Sequence, residues 1–168
     1  MPSPQSVQYC LFEAAAPAPP HAPRNDVRSG DAAETFVIAK LLKWGYDAHD
    51  SRRDLPYDVV VDVGNGRICR IQVKGRGRSV GTRWNYRALR GNWRSATGTY
   101  GYTESDFDVS AYVALSLEKV LFKVGVHSSH SVVTSDFLRD DAELTSWLRA
   151  LTEFQLRPHS LAAVPVAS

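Results

Sequence analysis

The sequence predicts one α/β (α+β) domain in which a mixed β-sheet is flanked by helices. Three observations predict it. A helical period runs over 31 to 44, two β-branched runs are joined by Gly64-Asn65-Gly66, and two further strand-like runs precede a second helical period. The chain has 168 residues, 43% apolar and 23% charged, enough for one core that folds unaided. Its apolar runs fall far short of the roughly 20 residues that cross a bilayer, and Met1 to Cys10 lacks a basic flank followed by an apolar stretch. Cys10 and Cys69 are the only cysteines, too few for a disulfide framework or a cysteine zinc site. A cytoplasmic protein without membrane contact is expected.

Taken in order, residues 1–28 include Ala14-Ala15-Ala16-Pro17-Ala18-Pro19-Pro20, which favours extended, solvated backbone and is expected to form a flexible arm. The domain is expected over 29–155, and a flexible tail over 156–168. From about Asp31 to Trp44, Phe36, Val37, Ile38, Leu41, Leu42 and Trp44 recur at helical spacing with Lys40 and Lys43 opposite, and Gly45 stops the helix. Asp58 to Val63 and Arg67 to Lys74 form a hairpin about Gly64-Asn65-Gly66. A stretch rich in arginine, glycine and aromatics follows to about Gly101. Val109 to Leu115 and Lys119 to Val126 read as strands, and Asp136 to about Phe154 as a closing helix.

A three-residue hairpin loop sets Asp58 opposite Gln72. Side chains alternate along a strand, so Gln72 and Lys74 share a face with Val60, Asp62, Ile68 and Arg70, while Val59, Val61, Val63, Cys69, Ile71 and Val73 form an apolar face. A two-residue loop would instead place Asp58 and Gln72 on opposite faces. Glu34 is the second anomaly: at about 100° per residue it falls among Val37, Ile38 and Leu41 on the apolar side of the helix. A carboxylate there must be capped, paired or bound to a metal, because burying it alone costs several kcal/mol. One alternative is structural, since Asp31-Ala32-Ala33-Glu34 matches a capping box.

Pro56-Tyr57-Asp58, then Gln72-Val73-Lys74, preceded by a helix that bears Glu34, resembles the PD-(D/E)XK nuclease superfamily, in the branch where glutamine replaces the second acidic residue. Group I intron-encoded homing endonucleases and Mrr-type nucleases are the look-alikes, and Asp106-Phe107-Asp108 with its apolar sequel is similar to the family's third core strand. The resemblance implies a restriction-endonuclease-like core and a metal-dependent DNA endonuclease. It further implies that Asp58, the Val73 carbonyl and Gln72 hold Mg²⁺ or Mn²⁺, that Glu34 binds it through water or completes a second site, and that Lys74 assists the attacking water. A neutral Gln72 removes one negative charge from that set. A catalytically silent DNA-binding or structural module and a Holliday-junction resolvase are the alternatives.

The overall charge of +2 hides a division. Between Val63 and Thr103 there are nine basic residues and no acidic one, with aromatics interleaved. Arg70, Arg76, Arg78, Arg83, Trp84, Arg87, Arg90, Trp93 and Arg94 are expected to contact double-stranded DNA, with Gly75-Arg76-Gly77-Arg78 as a mobile loop over its backbone. Reaching both strands favours a homo-oligomer, a dimer or tetramer. His127-Ser128-Ser129-His130 would need another ligand to hold a metal, and the acidic residues 136 to 143 suit a helix start.

Overall fold

A computed structural model of the chain describes residues 26–52, 54–91 and 98–157. Helix α1, Asp26–Lys43, buries Ala33, Val37 and Leu41 completely, one row at four-residue spacing that lies against the sheet. Gly45 ends it with a φ of 85° and an N–H donated to the Leu42 carbonyl. Leu42 departs from the expected apolar face and is exposed. The helix starts earlier than its apolar period suggested, so Asp31 is an interior helical residue whose carbonyl accepts the Thr35 hydroxyl at 2.9 Å. A capping box at Asp31 is thereby excluded. Of the segments expected to be flexible, 26–28 open α1 and 156–157 close the last helix, while the rest lie outside the described residues.

The strands are β1 (Asp47–Asp50), β2 (Val59–Asp62), β3 (Ile68–Arg76), β4 (Arg83–Arg87), β5 (Leu89–Gly91), β6 (Thr99–Gly101), β7 (Val109–Ala114), β8 (Lys119–Val124) and β9 (Ser129–Val133). Five of them form one sheet in the order β1-β2-β3-β7-β8. The β3–β7 pair is parallel and its other neighbours are antiparallel, which makes the sheet mixed as expected. On one face Val59, Val61, Cys69, Ile71 and Val73 pack with Val113, Val120 and Phe122 beneath α1 and the last helix, α3 (Ala142–Leu156). Trp147 anchors that packing, edge-on to Phe122 and Tyr46 at 5.2 Å.

The opposite face carries a second, smaller core that hydrophobic patterning had not announced. The two-stranded β4–β9 sheet lays Trp84, Tyr86 and Val132 over Tyr112 and Ala114, joined by Phe137 of the short helix α2 (Thr134–Phe137). Gly75 and Arg76 belong to β3 rather than to a mobile loop. A side chain at 75 would come within 2.6 Å of Ala33 Cβ and 3.1 Å of the Ser29 carbonyl, so glycine permits α1 to cross β3 at close range. The closing helix is broken as well: Asp141 takes a φ of 53° between α2 and α3. Glu143 stands in the first turn of α3, as expected of a helix-start acid, and is also a buried tie. It accepts bonds from Lys40, Lys119 and the Val120 N–H at 3.0 to 3.2 Å. Among the described residues no helix is long and apolar enough to cross a membrane.

Candidate active site

The hairpin loop has three residues, Gly64, Asn65 and Gly66, all with positive φ, and is closed by the Val63 and Arg67 backbones. The register that results pairs Val59 with Ile71 and Asp62 with Ile68. Asp58 donates its N–H to the Ile71 carbonyl at 2.9 Å, just past the end of β2, and so stands opposite Gln72. One carboxylate oxygen of Asp58 accepts the Val73 N–H at 2.7 Å and a side-chain N–H of Gln72. The same Gln72 nitrogen lies 3.3 Å from the Val73 carbonyl, and Gln72 is only 4% exposed. Burial pushes the Asp58 carboxyl above the usual range, against the pull of the Val73 N–H, the Lys74 ammonium and the Gln72 amide.

Glu34 approaches from α1, whose close crossing at Gly75 brings its N-terminal half over this end of β3. Its carboxyl is pushed up to about 7, first by burial and then by the charges of Asp58, Asp31 and Asp50, with Lys74 opposing. Lys74 follows Gln72 on the face away from α1, paired in register with Tyr112. Burial lowers its pKa, and Asp58 and Glu34 act in the opposite sense. The ammonium sits 5.1 Å from the ring centroid of Tyr102 and 3.4 Å from its hydroxyl.

Beside Asp58 and Glu34 opens a cleft of about 520 Å³, lined also by Asp31, Asp50, Ser51 and Tyr57. Asp50 was invisible in the sequence because β1, Asp47-Ala48-His49-Asp50, buries only Ala48 and has no apolar alternation. Ser51 anchors this wall by donating to the Tyr57 carbonyl. The donors present suit a hard divalent cation. They are oxygen atoms, and four carboxylates line one cleft, where burial first and then the neighbouring carboxylates raise the Glu34 carboxyl to about 7. Among the described residues no group of three or more His, Cys, Asp or Glu side chains is placed to hold a metal ion by itself, so a cation here needs the Val73 carbonyl and the Gln72 amide as well.

A family model described as PD-(D/E)XK endonuclease matches residues 24–143, which span α1, the hairpin, β7 and β8. The chain belongs to the PD-(D/E)XK endonuclease family. Among solved structures, a bacterial homing endonuclease, I-Ssp6803I, matches with a TM-score of 0.59 and 22% identity, covering 80% of this chain and 99% of that one. At that identity the likeness shows the fold, a nuclease-like mixed sheet flanked by helices. No curated protein matches the chain.

Within this PD-(D/E)XK fold the basic residues part company. Trp84 is 2% exposed, its ring packed on Phe137 and its Nε1 donating to the Thr134 hydroxyl at 3.1 Å, so it cannot stack on bases. Arg70 is held by its neighbours: its guanidinium forks onto both Asp108 oxygens at 2.9 and 3.0 Å and reaches the Ser105 carbonyl at 2.8 Å. That clamp seats the 105–108 loop beside β3, with Phe107 fully buried. Arg76, Arg78, Arg83 and Arg87 are exposed, and Arg76 Nε donates to the Asn85 carbonyl at 3.1 Å. Arg90 lies on β5, while Trp93 and Arg94 lie outside the described residues. His130 stacks 4.3 Å from Tyr112 and His127 bonds the Val124 carbonyl, so both histidines are occupied structurally.

Proposed function

We propose that the cleft hydrolyses phosphodiester bonds of double-stranded DNA with a divalent cation, Mg²⁺ or Mn²⁺, held by Asp58, the Val73 carbonyl, Gln72 and Glu34. The observation that carries this reading is the junction of Asp58, Gln72 and the Val73 backbone at one point, with Glu34 and Lys74 near enough to perturb its charge. When bound, the cation supplies Lewis-acid polarisation of the phosphate and lowers the pKa of water. Gln72 offers its carbonyl oxygen to the site by a half-turn of its amide, which exchanges a donor for an acceptor. Lys74, with a pKa drawn down by burial, releases and regains a proton more readily than a solvated lysine. As an ammonium it also offsets charge that builds on the phosphate. Glu34, whose carboxyl burial and the neighbouring carboxylates push up to about 7 in the metal-free protein, would hold the ion through water on the helix side of the cleft, where a bound cation favours its charged form. A dimer or tetramer would present two such clefts to the two strands.

Purified protein incubated with supercoiled, linear and four-way-junction DNA tests the reading. Cutting with Mg²⁺ or Mn²⁺ and none with EDTA is expected, with Asp58→Ala and Lys74→Ala each inactive but still binding duplex. Full activity in either variant refutes it, and preferential cutting of the junction points to a resolvase. One observation favours a silent DNA-binding module instead, namely the neutral Gln72 at the place of a carboxylate. Salt-sensitive binding without cleavage under any divalent ion would establish that module.

A further inference from the structure

The strands of the second sheet alternate with unusual regularity. Along β4, Arg83, Asn85 and Arg87 are exposed while Trp84 and Tyr86 are buried. Along β9, Ser129 and Ser131 are exposed and Val132 is buried. The register sets Asn85 beside Ser131 and Arg87 beside Ser129. One face of the ribbon is therefore core, and the other is a row of guanidinium, amide and hydroxyl groups, with the half-buried Val133 beside Arg83 and no carboxylate. Arg83 donates to the Ser131 hydroxyl at 3.3 Å, and among the described residues neither Arg83 nor Arg87 forms an ion pair.

We propose that this outer face enters the DNA major groove and reads base sequence, with Arg83, Asn85 and Arg87 as the specificity-determining residues. The inference rests on the DNA-cleaving reading of the Asp58 cleft. Dimensions and chemistry support it together. A major groove about 12 Å wide admits a two-stranded ribbon, whose strands lie about 4.8 Å apart. Outward residues on a strand recur about every 6.8 Å, close to two base-pair steps of about 3.4 Å each. Arginine matches the paired acceptors of guanine and asparagine the acceptor and donor of adenine, while serine serves either. The platform is stiff, because Trp84 and Tyr86 are locked over Tyr112 and Phe137. It is also close to the chemistry: Tyr112, against which Tyr86 packs, is the register partner of Lys74, and Arg76 ties the end of β3 to Asn85.

Selection of bound sequences from a randomised duplex library, run in EDTA so that no cleavage is required, tests the inference. Wild type, Asn85→Ala and Arg87→Ala would be compared, with plasmid cleavage in Mg²⁺ measured in parallel. In the wild type a base preference is expected. Asn85→Ala should relax it at one base pair by about 5- to 150-fold, and Arg87→Ala should do so about two base pairs away. Retained preference in both variants overturns the inference, even if the plasmid is cut. So does a uniform loss of affinity with a shallower salt dependence, which marks phosphate contact alone. A wild type without base preference overturns it equally. Relaxed preference in a protein that never cuts would uphold the ribbon and refute the nuclease reading instead.

Discussion

Replacing Glu34 by glutamine should make the metal-free protein more stable at neutral pH while lowering its cleavage activity. The Glu34 carboxyl rises from 4.5 to about 7 on folding, through burial and the charges of Asp58, Asp31 and Asp50. The folded chain therefore holds a proton that the unfolded chain has lost, and stability falls as pH rises from about 4.5 to about 7. About 2.5 pH units correspond to about 3.4 kcal/mol. Glu34 is only half-buried, so solvent screening reduces this to about 1–2 kcal/mol. For a domain of this size that equals a rise in Tm of about 2–8 °C in Glu34→Gln at pH 7.5 in EDTA, shrinking toward zero near pH 4.5. Thermal melts of both proteins across that range, read as a difference, measure it. Parallel melting profiles, or a variant less stable at pH 7.5, would refute the argument that Glu34 is held in electrostatic conflict. A site poised for a cation and destabilised without one is the trade that the difference reports.

Three further outcomes follow from the geometry. His130 is held down to about 4 by burial, then by Lys123 and His127, so the unfolded chain takes up a proton that the folded one refuses. Its stability contribution is lost as pH falls from 6.5 toward 4, by about 1–2 kcal/mol after discounting for partial exposure, and His130→Gln should flatten urea unfolding in that window. Glu143→Ala leaves Lys40, Lys119 and the Val120 N–H without their acceptor and should cost about 3 kcal/mol in urea unfolding. Arg70→Lys cannot reproduce the fork onto Asp108 and should cost about 1–2 kcal/mol, whereas a change within about 0.3 kcal/mol would show that the clamp is dispensable.

Much of the site was legible because it rests on short-range rules. The loop Gly64-Asn65-Gly66 dictates the register, and the register dictates that Asp58 meets Gln72. Glu34 was legible as an anomaly, but not its resolution. Its cap reading fell only because α1 starts at Asp26, where apolar periodicity is silent. Trp84 and the arginines looked alike in a basic, aromatic stretch. Alternation turned Trp84 inward against Phe137, fifty-three residues away in sequence, and nothing local encodes that partner. Asp108 likewise became the counter-charge of Arg70, a partner thirty-eight residues away that nothing local announces.

By itself, the sequence determined a mixed α/β domain, a hairpin about Gly64-Asn65-Gly66, and a charge division of +9 over 63–103 against −7 elsewhere, while the three-residue loop of the structure chose the register that groups Asp58, Gln72 and Lys74. Those features depend on periodicity, turn chemistry and composition, which act within a few residues. Only the tertiary structure decided which charges are available. It crowded Asp31, Asp50 and Asp58 around Glu34, paired Arg70 with Asp108, and turned Arg83, Asn85 and Arg87 outward on one ribbon. Burial and long-range pairing set the energy of a charge, and both exist only once distant segments of the chain have met.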